Sequence, residues 1–344
     1  MSANDFLVDS GIKHQIYVQR YAGGQVKDLV KYLDDAQAEI LRQLKTVKSL
    51  EQSRSLNRKL NRIVQLQQEA LAKFGSNLNQ RTIEFAEYEA DFAVRTLNTA
   101  AAAGVALPAS EQLQALVTQK PMQLAVSGKA GSTVQNLTIN QATRQFAADK
   151  AGEIRRAIQL GVVEGKTTQS LTREIVSVTN RHKKQAEALV RTSVNHISSE
   201  ARSAVNKANS DILKGEEWVS VLDSRTTIGC ATLDGKILDF DEPPFTPRHW
   251  NCRSLRVPVL QDRFQEEGLE GSRAAVGSAG AGQVSAKRTY SGWLKDQSAE
   301  FQDQMLGKER GKLFRSGKVK LDQFVDENYN PVSLDQLRVL DAEG

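Results

Sequence analysis

WVSVLDSRTTIGCATLDGKILDFDEPPFTPRHWNCRSLRV, residues 218–257, holds both cysteines, one of the four histidines and two of the three tryptophans of a 344-residue chain. Scarce, chemically particular residues gathered in one stretch mark a compact, loop-rich module between simpler helices. Trp218, Val219, Val221 and Leu222 predict a strand, because β-branched and aromatic residues suit a pleated surface. Ser224 to Thr227 reads as a polar turn. Leu233-Asp234-Gly235-Lys236-Ile237 reads as a tight hairpin, since Asp-Gly supplies the positive φ angles of a two-residue turn. Pro243, Pro244 and Pro247 then forbid regular structure.

Cys230, His249 and Cys252 form a C-x18-H-x2-C pattern. Two thiolates and an imidazole are three of the four ligands of a tetrahedral zinc site, and a two-residue gap lets His249 and Cys252 reach one ion from one turn. Asp223, Asp234, Asp239, His196 or water are candidates for the fourth. A Cys230–Cys252 disulfide, or two ordinary thiols beside a hydrogen-bonded His249, are the other readings of the same residues.

The order of these residues resembles the phage head morphogenesis proteins, the Mu F-like minor capsid proteins of tailed phages. The resemblance is carried by Leu222-Asp223-Ser224-Arg225-Thr226, then Cys230, then Leu233-Asp234-Gly235, then Pro243-Pro244 with His249-Trp250-Asn251-Cys252-Arg253. It names Asp223, Arg225, Thr226, Gly235, Asn251 and Arg253 as structural motif residues. Phe245, Thr246 and Pro247 lengthen the family's gap before the histidine. Upstream, Arg191, Thr192 and Asn195 also fit. The likeness is strong over about 185–257 and extends to about 150–320, while the first 120 residues match nothing recognisable.

Composition sets the outer bounds. The chain is 40% hydrophobic and 25% charged, with a net charge of +5 and a pI near 9.1. That is ordinary for a globular protein and only mildly basic, so nucleic acid nearby is compatible but not required. Two cysteines exclude a disulfide-dense secreted scaffold. No stretch approaches the ~20 apolar residues that span a bilayer, and no early run resembles a signal peptide. Synthesis and folding in a host cytoplasm, without a membrane partner, are therefore expected.

The remainder of the chain reads as helices with punctuation. Residues 1–25, with Gly23-Gly24 and no clear period, predict a flexible arm or one bound to a partner through Tyr17 and Tyr21. Val26, Leu29, Val30, Leu33, Ile40, Leu41, Leu44 and Val47 lie on one helical stripe, continued by Leu56, Leu60, Ile63, Val64 and Leu71. This is a long amphipathic helix or a hairpin broken near Ser49–Ser55, followed by a second helical segment over 77–103. Residues 104–140 read as a hairpin, connection or insertion at a domain boundary. A helix from Asn140 is expected to end at Gly161. Gly165-Lys166-Thr167-Thr168 superficially suggests a phosphate loop, but three residues rather than four separate Gly161 from Gly165 and no strand precedes it. It is read instead as a helix corner capped by Thr167 or Thr168. A further helix covers 181–213, with His196 at the edge of its apolar stripe and Arg191 and Asn195 placed to bond the module's loops. Gly268 to Gly282 reads as a linker. Beyond it Tyr290, Trp293, Leu294, Phe301, Met305 and Leu306 predict a short helix. The basic residues Lys308, Arg310, Lys312, Arg315 and Lys318, with Lys320, could meet phosphates or form a solvated face.

The expected fold is α+β and mostly α: long amphipathic helices with a small loop-rich β module that carries Cys and His. The expected divisions are an arm (1–25), an N-terminal helical region (26–120), a head-morphogenesis domain (140–260, module 218–257), a linker (268–284) and a basic helical tail (285–344). By resemblance the chain is a structural minor head protein of the virion, acting in assembly near the portal protein and other capsid proteins. Association with packaged viral double-stranded DNA or its ejection follows from the same likeness. An enzyme using Cys230 and His249 as nucleophile and base is the rival. Zinc deaminase chemistry is excluded, because neither His-x-Glu nor Cys-x-x-Cys occurs. A free DNA-binding protein is weaker, since the basic residues are dispersed.

Overall fold

The computed structural model describes residues 2–47, 54–102, 104–128, 131–264 and 271–343. Four long helices dominate it: α1 (Ala3–Lys45), α2 (Arg54–Ala101), α4 (Ile139–Val163) and α5 (Thr168–Ala208), with a short α3 (Ser110–Gln119) before α4. Their sequences form helices because aliphatic residues recur on one face and polar residues on the other. Each start is fixed chemically as well. Ser2 Oγ accepts from Asp5 N (3.1 Å), Thr138 Oγ1 from Gln141 N (3.1 Å) and Thr167 Oγ1 from Ser170 N (3.1 Å), satisfying amides that no earlier turn can reach. One buried cluster runs from Val18 and Leu29 through Phe74 and Phe85 to Val190 and Val205. A second, around Ile40, Ile63, Ile154 and Ile175, closes the far end of the bundle.

Several boundaries differ from the sequence reading. The expected arm over 1–25 is the first half of α1, with Leu7, Val18 and Ala22 buried and Tyr21 stacked on Phe85 at 4.2 Å. Its apolar spacing is helical, but part of the face it presents is shaped for a sheet rather than a helix. Gly11 is there because α1 crosses β5 closely: a Cβ would stand 3.1 Å from Leu255 Cδ1 and Val257 Cγ2. The expected break at Ser49–Ser55 falls largely outside the described residues. From Arg54 a single helix, α2, replaces the two segments predicted up to 103. Thr138, not Asn140, caps α4, and Gly161 lies inside it. The helices predicted at Thr167 and at 181 are one, α5. Because a single core joins α1, α2 and α5, the boundary expected at 104–140 divides no hydrophobic core.

The stretch 104–140 contains α3 and a hairpin of β1 (Met122–Gly128) and β2 (Gly131–Leu137). Ala125 N donates to Arg248 O at 2.7 Å, tying this hairpin to the later module. The module's sheet has order β4-β3-β5 and is antiparallel: β3 (Leu213–Val219), β4 (Ile237–Leu238), β5 (Leu255–Leu260), with Trp218 opposite Arg256. β3 starts five residues before the predicted strand. Between β3 and β4 lies α6 (Ile228–Leu233), so the Asp234-Gly235 turn connects a helix to a strand rather than two strands. Gly235 still supplies the positive φ, at 84°.

The predicted linker is ordered over its described part. Residues 265–270 lie outside the description, but β6 (Ser272–Gly277) and β7 (Gly280–Ser285) form a hairpin whose Val276 N donates to Leu222 O at 2.8 Å. Small residues there fit a thin hairpin against the module. The buried Arg273 pins it. The tail follows as α7 (Tyr290–Lys295), α8 (Ala299–Leu306), α9 (Lys308–Ser316) and α10 (Leu334–Glu343), and packs on the module through Tyr290, Trp293, Phe314 and Phe324. The whole is α+β and mostly α, as the sequence predicts.

Candidate metal centre

Trp218 and Leu233 bury the module's own small core, and Cys230 and Cys252 complete it, at 1% and 2% exposure. Cys230 sits in the first turn of α6, where Thr227 caps the helix and accepts from Cys230 N. Cys252 closes a turn in which its N donates to His249 O at 3.0 Å. That turn needs Asn251 in the left-handed region, at φ 58°, a conformation asparagine tolerates better than most residues. Asn251 N donates to Thr192 Oγ1 (3.0 Å) and Asn195 Nδ2 to Cys252 O (3.1 Å), so α5 holds the loop from below. Of the α5 residues expected to do this, Asn195 does so by a direct hydrogen bond, while Arg191 lines the groove beside the loop.

Cys230 Sγ lies 3.3 Å from His249 Nε2 and 3.9 Å from Cys252 Sγ, and all three ligand atoms fall within 4.8 Å of one another. The sulfurs are free thiols, far beyond the ~2.05 Å of a disulfide. A tetrahedral ion with bonds of about 2.3 Å to sulfur and about 2.0 Å to nitrogen spaces two sulfurs about 3.8 Å and sulfur and nitrogen about 3.5 Å apart. The two edges from Cys230 fit that figure, and the Cys252–His249 edge lies within 4.8 Å. His249 is also correctly presented. Its Nδ1 is 2.9 Å from Trp250 O, which can only accept, so the proton sits on Nδ1 and the Nε2 lone pair faces the thiols.

The electrostatics favour one thiolate. A hydrogen bond from Cys230 holds the Cys252 thiol well below the usual thiol range against the cost of burial, with His249 adding to the effect. The same hydrogen bond and burial push Cys230 up. Burial works against charge on His249, but its hydrogen bond to Cys252 and the Cys252 charge raise its pKa overall.

None of the side chains expected as a fourth ligand joins the three. Both oxygens of Asp223 receive the Arg253 guanidinium, at 2.6 and 2.8 Å. Asp234 is closed by Arg273 (3.0 Å on each oxygen), Ser220 N (2.6 Å) and Tyr290 N (2.6 Å). Asp239 is exposed at the mouth of a turn with Glu242, and His196 Nε2 faces Lys120 O at 3.2 Å.

The motif residues are brought together as braces. Asp223 also accepts from Arg225 N (3.0 Å), and Tyr290 Oη donates to Asp223 O (2.6 Å). Thr226 Oγ1 donates to Val221 O at 2.5 Å. Gly235 carries the turn beside Thr289. Arg225 is mostly exposed, with a side-chain contact to Asp223 of 3.4 Å. Two further braces went unread in the sequence: Arg273 on Asp234, and Arg256 on Glu216 at 2.8 Å. The only signal for the first was an arginine standing in a run of small residues.

The tail cations do not gather. Arg310 Nη2 donates to Val332 O (2.8 Å), Arg315 pairs with Asp303 (2.8 Å) and Lys312 with Glu309 (3.1 Å). Lys308 and Lys318 are exposed at opposite ends of the α9 segment.

Residues 152–256 match the family described as Phage Mu protein F like protein. The matched stretch begins in α4, takes in α5 and ends in β5, and contains Cys230, His249 and Cys252 together with the motif residues of the resemblance. No curated protein and no solved structure matches the chain.

Proposed function

We propose that this chain, Mu F-like over residues 152–256, is a head morphogenesis protein of a tailed phage, a structural minor component of the virion head. One observation carries the reading: the residues that make the family likeness are spent on bracing. Asp223, Thr226, Asn251 and Arg253 each hold another part of the fold. The rival enzyme reading needs a sulfur that substrate can reach, and both sulfurs are buried. No helix among the described residues is long and apolar enough to cross a membrane. Portal protein and other capsid proteins are the proposed partners, and the head is the proposed location. Contact with viral DNA has thinner support, since Arg310, Lys312 and Arg315 of the basic tail are already engaged by the fold. The test is to pull down portal protein or purified procapsids with the tagged chain. Recovery of neither ends this reading.

We further propose zinc as a structural staple held by Cys230, His249 and Cys252, with a water or a partner's side chain as fourth ligand. Zinc would supply there a cross-link for a module with little apolar core of its own. Elemental analysis of the purified chain should find about one zinc per molecule. Cys230→Ser should lose it and unfold the module at lower denaturant. A metal-free protein of unchanged stability in that variant removes the staple.

A further inference from the structure

Beside the thiol–imidazole group a groove of about 860 Å³ opens between the first half of α1, the Asp223–Arg225 turn and the outer face of β6. Part of its lining is apolar and exposed: Ile16 is 45% exposed and Val276 52%. Such side chains lose contact with water when an apolar group covers them. Its lining is also cationic. Arg20 and Arg191 line it, and neither has a carboxylate within ion-pair distance among the described residues. Arg225, 76% exposed, reaches Asp223 only at 3.4 Å. Asp223 is the one carboxylate lining the groove among the described residues, and Arg253 already occupies both its oxygens. Arg20 and Arg191 are therefore left without an ion-pair partner among the described residues.

We propose that this groove docks an extended acidic segment of a partner protein. Its carboxylates meet Arg20 and Arg191, and an aliphatic side chain packs against the exposed Ile16 and Val276. A peptide brings both groups. A nucleic-acid backbone brings only charge. The inference stands apart from the head-protein reading and from any bound metal, because it uses only the groove's own side chains.

A fluorescein-labelled peptide of alternating Glu and Leu, about eight residues long, is titrated into the full chain by fluorescence anisotropy, with the Lys/Leu counterpart and a short DNA duplex as comparisons. Binding of the acidic peptide should weaken at least about tenfold in Arg20→Glu/Arg191→Glu. It should also weaken in Ile16→Asn, which leaves the charge unchanged, with the thermal unfolding of both variants intact. If the double variant unfolds, Arg20→Ala at its exposed position gives the same readout at smaller size. No binding of the acidic peptide, equal binding of the lysine peptide, or indifference to these substitutions overturns the proposal. So does a duplex that displaces the peptide and itself loses affinity in the arginine variants, which would assign the groove to nucleic acid.

Discussion

The bundle and the module are stabilised by different means. In the bundle, aliphatic and aromatic side chains do most of the holding: Leu29, Phe74, Leu78 and Val190 are buried on stripes that any one helix could present to several partners, with one buried polar group where Glu89 meets His14 and Ser198. In the module, buried polar groups specify position. Asp234 is met by Arg273, Ser220 and Tyr290, Glu216 by Arg256 and Asn206, and Asp223 by Arg253. Hydrophobic burial is non-directional, whereas a bidentate pair fixes angle and distance. A long helix can tolerate sliding by small increments. A loop-rich knot cannot, and its charges are what make one arrangement unique.

The largest effect should come from breaking that specification. Asp234→Ala leaves the Arg273 guanidinium buried and unpaired, and should cost about 3–5 kcal/mol in denaturant unfolding. A loss under 1 kcal/mol would show the module rests on packing after all. Phe74→Ala is the matching cut in the bundle, also about 3–5 kcal/mol through the cavity it leaves. It should leave the near-ultraviolet signal of Trp218 unchanged if the two regions are specified separately, and a collapse of that signal would join them.

A smaller effect separates the two by pH. Burial opposes charge on Asp223, but the hydrogen bonds and charge of Arg253 win and hold its carboxyl below the usual aspartate value of 3.8. An acid whose pKa falls on folding adds stability that is complete above its unfolded value and is lost as pH drops through the folded one. Below the ordinary aspartate range the native chain should therefore lose stability faster than Asp223→Asn, with the two curves parallel at neutral pH. Parallel curves throughout would mean the pair contributes nothing. The smallest effect is Thr138→Ala at the start of α4, about 1 kcal/mol in the same unfolding assay, from one lost cap. No measurable change there would mean Gln141 alone satisfies that end.

How much of this was legible follows from the same contrast. The Cys230, His249 and Cys252 group, the Asn195 contact and the bundle's stripes could be read, because rare residues and helical periodicity are local signals. The N-terminal helix was misread because what covers Leu7 and Gly11 is β5, whose closest residues are some 250 positions away; spacing alone does not name a sheet as the partner. The β6–β7 hairpin was misread because glycine, alanine and serine look like a linker until Arg273 is seen to fall on Asp234. Asp223 and Asp234 failed as fourth ligands because each has an arginine partner that only the tertiary fold reveals, and His196 because it faces Lys120 O.

One pair of contacts has a bearing on how the chain is made. Leu260 N donates to Asn4 Oδ1 and Gly271 N to Asp5 Oδ2, across separations of 256 and 266 residues. The opening turns of α1 therefore wait on the ribosome for most of the polypeptide before their outer face can be covered. A nascent chain that has not reached Gly271 keeps that face bare, so the first turns of α1 are covered only late in translation.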